Sequence, residues 1–373
     1  LGGLNKKLRD KNWFKTNNII EPNILNFLDL VSLGTVCDVV PLVDLNRAIV
    51  KQGLKIIKNR SNLGIKTLFD LCKIESKATT YDLGFKLGPR INAGGRVGKS
   101  SHGAELLISS DPKKTFQIAT DLEKSNKERQ SIELLLSEKL KLEVRKHHNY
   151  PILLLSGENW HEGVVGIVAA RIKDKYKKPT ILISVNDNIG KGSARSILGF
   201  DIGAQIIKAV QSGLLEKGGG HKMAGGFTIK TEKISDFRNF LIKNFEKSKV
   251  DTSKNMNLYL DSIISPSALN KDFFDEISYL APFGSGNSEP KFVIENIKLI
   301  SAKIIGENHI KSILLGKDGT TFSSFVWNGV DTSLEPFLTK KNNKTFNVAG
   351  KMHLNEWKGR ENIEFMIEDI SLN

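Results

Sequence analysis

The sequence predicts a mixed α/β protein in which a long helix connects an N-terminal segment to an α/β domain, with a small β-barrel at the C-terminal end. Three patterns predict this architecture. Apolar residues recur every three or four positions from Pro112 to about Lys146, helix and strand patterns alternate from residue 151 to 184, and short alternating strands follow Leu258.

The charge of the chain favours a polyanionic partner. Its 373 residues carry a net charge of +14, although charged residues make up an ordinary 26%. Nucleic acid is the first expected partner and a membrane surface the second, while a lysine-rich genome is the alternative explanation. A membrane role is disfavoured because the sequence shows no apolar run of spanning length and no signal pattern.

Length and cysteine use narrow the class further. The length suggests two or three domains. Cys37 and Cys72 lie far apart without C-x-x-C spacing, which predicts neither a disulfide framework nor a thiolate zinc site and fits a reducing cytoplasm. Because natural chains start with Met or a small residue, Leu1 leads us to expect that the chain begins inside a longer protein.

One isolated carboxylate marks the N-terminal segment. Apolar residues between 12 and 33 predict a buried helix that ends at Gly34, and the apolar segment LGTVCDVVPL comes next. Asp38 in that segment would be costly to bury unpaired, so it either caps the following segment or is held by a cation. From the residues alone, capping is favoured.

Residues 84–98, GFKLGPRINAGGRVG, are predicted to form a glycine-rich loop. Five glycines and a proline argue against a plain amphipathic helix. Arg90 and Arg96 on such a loop could bind phosphate bidentately, or they could be two solvated arginines on a surface turn.

Polar residues interrupt the apolar stripe of the long predicted helix near its middle. Asn126 and Arg129 occupy or adjoin that stripe. This break favours a helix that bridges two domains and turns its central polar residues toward a groove, while a bent surface helix with a gap in its stripe is the alternative.

The α/β unit that follows carries candidate anion-binding groups. Strand signals at 152–155 and 179–184 flank the apolar helix GVVGIVAARIKDKY, and His161 before this helix is a candidate to face the groove. Ser193, Arg195 and Ser196 come at the end of a strand, where hydroxyls beside an arginine suit an anion.

A second candidate lies in EKGGGHKMAGGFTI, residues 216–229, which is predicted to be a glycine loop before a strand. Its bare N–H groups could cradle an anionic oxygen, or the glycines could serve a tight turn and nothing more. His221 favours the first interpretation because an imidazole can act as a directed donor or a general acid.

The C-terminal third is predicted to be a five-stranded barrel of the oligonucleotide-binding (OB) kind, beginning near Asp251 after the linker VDTSKNMN. NIEFMIEDI alternates apolar residues on one face, and NEWKGRE is predicted to be a hairpin connection carrying Lys358 and Arg360. Trp327 and Trp357 could stack bases or could fill the barrel core.

Taken together, the motifs resemble the bacterial RecJ exonucleases of the DHH phosphoesterase superfamily, over essentially the whole chain. Five motifs occur in the family's order: LGTVCDVVPL, GPRINAGGR, NWHEGVVGIVAARI, GSARS and GGGHKMAGG. LAPFGSGNSEP resembles the entry to the family's OB domain. The resemblance implies a truncated DHH-type α/β domain over 1–111, a connecting helix over 112–148, an α/β DHH-associated domain over 149–250 and an OB-fold domain over 251–373.

The resemblance also implies roles for individual residues. Asp38 matches the last metal-ligating aspartate of the DHH domain. The long helix would form the floor of a narrow DNA channel. Residues implied to approach the nucleotide are Arg90, Asn92 and Arg96. Residues implied to hold the terminal phosphate are Ser193, Arg195, Gly219, Gly220 and His221, with His221 also a catalytic candidate.

The implied activity is metal-dependent 5′ to 3′ degradation of single-stranded DNA to mononucleotides in DNA repair and recombination. The implied cofactor is Mn²⁺ or Mg²⁺ in a two-metal site, yet the family's D-x-D-G and D-H-H motifs are absent from this sequence. We therefore expect a C-terminal fragment that binds DNA better than it cuts it. The expected partners are the 5′ end of single-stranded DNA, single-strand-binding protein and a helicase, and the expected state is a cytoplasmic monomer.

Two alternatives remain open at this point. An oligoribonuclease or cyclic-dinucleotide phosphodiesterase of the same superfamily shares the glycine-histidine motif but has less need of a strand-binding barrel. A non-catalytic single-strand-binding module would explain the missing metal ligands.

Overall fold

The computed structural model describes residues 1–75, 77–251, 257–339, 345–357 and 360–372, without the side chains of residues 356, 357 and 360. The chain forms two compact units, one of Ile57–Asn257 and one of Leu1–Ile56 together with Leu258–Asn373. Most of the predicted linker, residues 252–256, lies outside the described residues. The domain boundaries at 111, 148 and 250 stay predictions.

Helices make up most of the first 150 residues and flank the strands that follow. The α-helices are α1 (Gly2–Asp10), α2 (Trp13–Thr16), α3 (Leu28–Cys37), α4 (Asp44–Ile57), α5 (Leu63–Leu71), α6 (Gly88–Val97), α7 (His102–Ile108), α8 (Pro112–Lys146), α9 (Glu162–Tyr176), α10 (Ile202–Gln211), α11 (Ile234–Ser248), α12 (Lys271–Ser278) and α13 (Glu335–Thr339). A π-helix, Asp82–Leu87, runs directly into α6.

Strands fall into one sheet in each unit. They are β1 (Leu153–Glu158), β2 (Thr180–Asn186), β3 (Ile189–Arg195), β4 (Lys217–His221), β5 (Ala224–Lys230), β6 (Ser262–Ile263), β7 (Phe292–Ile305), β8 (His309–Leu315), β9 (Thr321–Val326), β10 (Phe346–Trp357) and β11 (Arg360–Leu372).

The long helix α8 forms as the apolar periodicity predicts. Asp111 caps it by accepting hydrogen bonds from the N–H groups of Lys113 and Lys114, and Pro112 takes the first helical position, where no N–H is needed. Its stripe is buried at Ile118, Leu122, Leu136, Leu140 and Val144. The predicted bounds are confirmed.

The sheet of the Ile57–Asn257 unit has the order β1-β2-β3-β5-β4, with β1 parallel to β2 and the remaining pairs antiparallel. Alternate residues of β1 enter different cores. Leu153 and Leu155 pack with α8 and α9, while Leu154 packs with α10 and α11 on the opposite face. Burial on both faces explains the continuous apolar run in the sequence.

Two segments predicted to be irregular are helical. Helix α3 continues through Gly34 to Cys37, so the predicted end at Gly34 is wrong. The predicted glycine-rich loop at 84–98 is the end of the π-helix followed by α6. Glycine is needed there for close packing, since a Cβ on Gly94 would lie 2.6 Å from the Lys99 carbonyl oxygen.

The unit of Leu1–Ile56 and Leu258–Asn373 contains the predicted five-stranded barrel. Strands β7, β8 and β9 form an antiparallel meander, β9 pairs parallel with β11, and β11 pairs with β10, which returns to β7. Strand β6 adds beside β7 outside this closure. Phe365 and Ile367 are buried and Ile363 packs against the core, which confirms the alternation seen in the sequence. The pairing of Trp357 with Arg360 confirms the hairpin, whose Lys358 lies outside the described residues.

Candidate nucleic-acid interface

The glycine-histidine segment is a β-hairpin rather than the predicted loop. Strands β4 and β5 pair in register from Lys217 with Thr228 to His221 with Ala224, joined by Lys222 and Met223. Strand β5 also pairs with β3. The predicted convergence of the two anion candidates therefore arises because three neighbouring strands place their residues side by side.

Three rows of residues cross β3, β5 and β4 on one face of the sheet, because residues in direct register point the same way. The rows are Arg195, Ala224 and His221; Ser193, Gly226 and Gly219; and Lys191, Thr228 and Lys217. We call this surface the open face.

Helices cover the opposite face of β5 and β4 but leave the open face uncovered there. Gly218 belongs to the opposite face. A Cβ on Gly218 would lie only 2.7 Å from a side-chain carbon of Ile206 in α10. Helix α9 reaches the open face at β3, where Gly166 lies beside Ser193 and Arg195. Gly226 is exposed. Strand β5 and the edge strand β4 thus present bare backbone on the open face.

The glycines of the hairpin divide into two kinds by face. A Cβ on Gly220 would lie 2.5 Å from the Gly225 Cα, so the hairpin's own packing requires glycine there. A Cβ on Gly219 would meet nothing within 4 Å, and one on Gly226 would meet the Gly192 carbonyl oxygen at an ordinary 3.7 Å. Of the two predicted contact glycines, Gly219 faces the open side and Gly220 has a packing role.

His221 is exposed at the end of β4, and its tautomer follows from a local hydrogen bond. Its Nδ1 accepts a hydrogen bond from the Met223 N–H at 3.3 Å. In the neutral imidazole Nε2 therefore carries the proton and is the free donor. His221 can thus donate to an oxyanion without first becoming charged.

Arg195 and Ser193 lie together at the end of β3. Arg195 Nη1 donates to Ser193 Oγ at 3.1 Å and to the Ala194 carbonyl oxygen at 2.8 Å. Burial lowers the pKa of Arg195, and the positive charge of Arg96 lowers it further. Among the described residues no carboxylate pairs with Arg195, so its charge is available to an anion.

Ser196 does not join this cluster. It is 1% exposed, and its hydroxyl donates to the Phe200 carbonyl oxygen at 2.6 Å. The strand ends at Arg195 and the chain turns inward, which directs this hydroxyl into the fold instead of toward the predicted anion.

Arg96 links the helical part of this unit to the open face. It lies near the end of α6, and its Nη1 donates to the Gly163 carbonyl oxygen at 3.0 Å in the first turn of α9. A Cβ on Gly163 would lie 2.5 Å from the Arg96 carbonyl oxygen, so glycine permits the close approach of the two helices.

Asn126 and Arg129 are buried, contrary to the expectation that they face an open groove. They are 2% and 8% exposed, and Arg129 donates to Asn126 Oδ1 at 2.9 Å and to Glu133 at 2.7 Å. Arg171 of α9 also pairs with Glu133, at 2.5 Å. Burial lowers the pKa of Arg129, Glu133 raises it, and the charges of Arg96 and Arg171 lower it.

Two of the remaining predicted contact residues have partners within the fold. Arg90 is held by Glu123 at 2.5 Å and by the Lys86 carbonyl oxygen at 2.7 Å, whereas Asn92 is exposed. His161 is the N-cap of α9, where its Nδ1 accepts from the Gly163 N–H at 3.2 Å. This ties His161 and Arg90 to structural partners.

Asp38 belongs to the other unit and is exposed at the C-terminal end of α3. Asp38 was predicted either to cap the following segment or to bind a cation, because an unpaired buried carboxylate is costly. Asp38 is exposed, so it does not have that cost, and it is not the N-cap of a helix. No group of three or more His, Cys, Asp or Glu side chains among the described residues could hold a metal ion. The described residues therefore do not form a two-metal site.

Four charged residues, two on helices α8 and α9 and two on the open face, were not predicted from the sequence: Glu133, Arg171, Lys191 and Lys217. Glu133 follows Arg129 by four positions, a spacing that places the two side chains together on a helix. Strand register brings Lys191 and Lys217 into one row, and register is not visible in either segment alone.

The barrel carries an exposed aromatic cluster. Trp327 is 57% exposed, and its ring centroid lies 4.9 Å from that of Phe325 and 4.6 Å from that of His309. Lys311 is the cross-strand partner of Phe325 on the same outer face. Trp327 therefore does not fill the barrel core, which was one of its two predicted roles.

Among the parts of the chain that the structure describes, no helix is both long enough and apolar enough to span a bilayer.

Comparison with known proteins assigns both C-terminal domains. Residues 149–247 match the DHHA1 domain family, and residues 260–369 match the RecJ OB domain family. The single-stranded-DNA-specific exonucleases RecJ of Dickeya dadantii and Escherichia coli are each 32% identical, over 98% and 97% of this chain and 65% and 64% of their own length.

The fold comparison extends this similarity to nearly the whole chain. Crystal structures of Thermus thermophilus RecJ in complex with Mg²⁺ and with Mn²⁺ match 96% of the chain at 26% identity, with TM-scores of 0.77 and 0.78. The matched region makes up 54% and 51% of those two solved chains. The chain thus spans less than two thirds of these relatives. The DHHA1 domain, the RecJ OB domain and the motif order thus agree, and the chain is similar over nearly its whole length to the RecJ exonucleases.

Proposed function

We propose that this chain forms the DNA-holding part of a metal-dependent nuclease that degrades single-stranded DNA from its 5′ end to mononucleotides. The observation that carries the proposal is the open face of the DHHA1 sheet, where Arg195, Ser193 and His221 lie in adjacent rows. The RecJ relatives, named as single-stranded-DNA-specific exonucleases, support the activity.

The open face suits a terminal phosphate. Arg195 offers a guanidinium without a carboxylate partner among the described residues, Ser193 a hydroxyl, and His221 an Nε2–H donor. Charge-assisted hydrogen bonds from such groups are stronger than neutral ones. Gly219 leaves room for the phosphate to approach the backbone. We infer that these four residues hold the 5′ phosphate and fix the strand end.

The positive charge of Arg96 strengthens the attraction of this site for an anion. Arg96 lowers the pKa of both Arg195 and Arg129, which means that like charges lie close together there. An arriving phosphate would relieve that repulsion, so the free protein is prepared for an anion. Glu133 offsets part of the positive charge by pairing with Arg129 and Arg171.

The barrel offers a surface for the strand away from its end. Trp327 is exposed, with the half-buried rings of Phe325 and His309 beside it. Lys311 lies across from Phe325 and pairs with Glu364. Bases of any sequence can stack on such rings while cations contact the phosphates. We propose that this cluster supplies sequence-tolerant binding.

Phosphodiester hydrolysis in this proposal depends on divalent metal, Mn²⁺ or Mg²⁺, which when bound would supply an activated water. We propose Asp38 as one metal ligand. The described residues do not form the site by themselves, so no step of hydrolysis is assigned to them.

The cellular setting belongs to the same proposal. We propose a cytoplasmic monomer that acts in DNA repair and recombination on strands opened by a helicase and covered by single-strand-binding protein. The net charge of +14 suits a polyanionic substrate.

The alternative within the superfamily is an enzyme for oligoribonucleotides or cyclic dinucleotides. The OB barrel favours a longer strand, because a dinucleotide gives such a surface nothing to bind. A protein with the full length of the RecJ relatives should release mononucleotides from 5′-phosphorylated single strands when manganese is added. Degradation of dinucleotides alone would support the alternative.

End recognition can be tested on the chain itself. We expect Arg195→Ala to weaken binding of 5′-phosphorylated single strands about tenfold and to remove their advantage over 5′-hydroxyl strands. Fluorescence anisotropy with both strands measures this. Arg145→Ala, a change at an exposed arginine in the last turn of α8, is the matched control. An unchanged preference for the phosphate would remove Arg195 from the site.

A further inference from the structure

The backbone turn that follows Asp38 is strained. Val39 has a φ of +56°, in the left-handed region that a β-branched residue rarely adopts. Its N–H donates to the Val36 carbonyl oxygen at 3.1 Å, and the next N–H, of Val40, donates to the Thr35 carbonyl oxygen at 3.1 Å. These two bonds form a Schellman motif at the end of α3, where glycine is the usual left-handed residue. The rest of the fold must therefore stabilise this turn.

The strap, residues 40–43, connects this turn to α4 and is anchored at Leu42. Leu42 is 1% exposed, and its N–H donates to the Ser285 carbonyl oxygen at 2.6 Å. Asp44, the first residue of α4, is left-handed as well, with a φ of +44°. Left-handed residues thus bracket the strap, and the burial of Leu42 offsets their cost.

The loop of residues 280–287, within the motif LAPFGSGNSEP, fits closely against the strap. A Cβ on Gly284 would lie 2.7 Å from Leu42 Cδ1. Gly286 has a φ of +73°, and a Cβ there would lie 3.1 Å from Pro41 Cβ. Glycine at these two positions therefore allows the loop backbone to approach the strap.

Asn287 holds the loop in this shape. Its Nδ2 donates to the Leu280 and Pro282 carbonyl oxygens at 2.9 Å each, and its backbone makes two hydrogen bonds with that of Gly284. The Leu280 carbonyl oxygen also accepts a hydrogen bond from Arg47 Nη2, in the first turn of α4, at 2.5 Å. The loop is thus tied to the segment that follows Asp38 at two points, the strap and α4.

The end of α5 carries the same motif with a local anchor. Lys73 has a φ of +53°, and the N–H groups of Lys73 and Ile74 make the same two hydrogen bonds. Ile74, the residue directly after the left-handed one, is 4% exposed and secures that turn. At α3 the corresponding Val40 is only half-buried, so the anchoring falls to Leu42 and the distant loop.

We infer that the loop of residues 280–287 is a positioning element for Asp38, which keeps the strained Val39 turn in place through Leu42 and so fixes the direction of the Asp38 carboxylate. This inference rests on the proposed function, in which Asp38 is one metal ligand. Asp38 directly precedes Val39, and its exposed carboxylate offers oxygen atoms, which Mn²⁺ and Mg²⁺ prefer. A carboxylate that is already held in place loses less freedom when it binds a metal ion. Leu42 and Asn287 are therefore positioning residues.

Loosening the loop should affect the strap before it affects the barrel. We expect Asn287→Ala, and independently Arg47→Gln, to speed hydrogen exchange of the chain about tenfold in peptides that cover residues 39–44. Exchange in β8 and β9 should stay unchanged. Mass spectrometry measures both. Unchanged exchange in residues 39–44 for both variants would contradict the inference.

Metal affinity can be tested without DNA or turnover. In a protein with the full length of the RecJ relatives, Asn287→Ala should weaken Mn²⁺ binding about tenfold, because Val39 can then leave the left-handed region and redirect Asp38. The electron paramagnetic resonance signal of free Mn²⁺ measures this. Asp38→Asn is the reference variant and should weaken Mn²⁺ binding at least as much.

A rescue experiment separates positioning from stability. Glycine adopts the left-handed conformation without strain, so Val39→Gly should keep the turn in place without the loop. Adding Val39→Gly to Asn287→Ala should therefore restore Mn²⁺ affinity. Lys73→Gly is the matched control, since it relieves the same strain at the exposed end of α5 and should stabilise the fold without restoring affinity.

The outcomes distinguish this inference from the function on which it rests. If Asp38→Asn weakens Mn²⁺ binding but Asn287→Ala does not, the loop does not position Asp38 and the proposed ligand stands. If Lys73→Gly restores affinity as well as Val39→Gly does, the loop serves stability alone and the inference fails. If Asp38→Asn leaves Mn²⁺ binding unchanged, the proposed role of Asp38 fails, and the inference fails with it.

Discussion

At the scale of single residues, Glu133 holds two arginines on helices α8 and α9, which pack on the same side of the sheet as the open face. Its carboxylate is 1% exposed and contacts Arg129 of its own helix and Arg171 of α9. Arg129 and Arg171 in turn repel Arg96 and each other less than they would without this carboxylate. The charge balance of the site thus depends on a residue that need not touch DNA.

We expect Glu133→Gln to lower the free energy of unfolding by about 3 to 5 kcal/mol, because two guanidiniums would lose their buried counter-ion. Urea denaturation measures the change. Glu138→Gln is the control, since Glu138 lies on the same helix in an exposed pair with Lys141 and should cost less than about 1 kcal/mol. Equal midpoints for the two variants would contradict the role of Glu133.

The thiol of Cys37 should titrate at unusually high pH. Burial raises its pKa to about 11, with a smaller contribution from the charge of Asp38. Because the folded value is raised, the thiol contributes stability at neutral pH that is lost as the pH rises from the unfolded value of about 8.5 toward 11.

Alkylation rates measured against pH in a Cys72→Ala background test this expectation. The native chain should show a midpoint near 11, and the chain in denaturant one near 8.5. The same low midpoint in both states would show that Cys37 is not protected by the fold.

At the scale of elements, neighbouring glycines differ in whether the surrounding structure leaves room for a side chain. In α6, a Cβ on Gly94 would meet the Lys99 carbonyl oxygen at 2.6 Å, whereas one on Gly95 would meet nothing within 4 Å. The β4–β5 hairpin shows the same division between Gly220 and Gly219. Position relative to the neighbouring element decides whether a glycine serves packing or leaves a surface bare.

The two glycines of α6 give a direct test. Gly94→Ala should destabilise the chain, since backbone must move, by a few kcal/mol. Gly95→Ala should stabilise it by about 0.4 to 1 kcal/mol through the lower entropy of the unfolded chain. Thermal unfolding of both variants measures the difference, and a stabilised Gly94→Ala would show that Lys99 does not approach α6 this closely.

At the scale of the whole molecule, the groups that we propose to contact DNA occur in both compact units. The Ile57–Asn257 unit carries the open face, and the other unit carries Asp38 and the aromatic cluster around Trp327. A strand that uses both needs contacts of two kinds, phosphate contacts on the sheet and stacking on the barrel. The two contributions should respond differently to salt.

We expect Trp327→Ala to weaken binding of long single strands by about 1 to 3 kcal/mol while leaving the salt slope unchanged, because stacking releases no counter-ions. Titrations at several salt concentrations separate the two effects. Tyr279→Ala, at an exposed tyrosine after α12, is the control and should have no effect. A changed salt slope for Trp327→Ala would contradict a stacking role.

The sequence by itself determined the element types with strong periodicity and the resemblance to the RecJ exonucleases. Helix α8, strands β1 and β2 and the alternating strand β11 follow from apolar spacing, since burial on a known period leaves a visible pattern. The order of the five motifs carried the resemblance, because no single motif is specific enough by itself.

Tertiary structure alone decided which residues share a surface. Lys191 and Lys217 join one row through strand register, Arg171 meets Glu133 through the packing of α9 on α8, and Ser196 turns inward after β3 ends. These contacts connect positions far apart in the chain, and a local pattern carries no information about them. The helical course of 88–97 also escaped prediction, because Gly94 packs closely against the Lys99 carbonyl oxygen and does not form a turn.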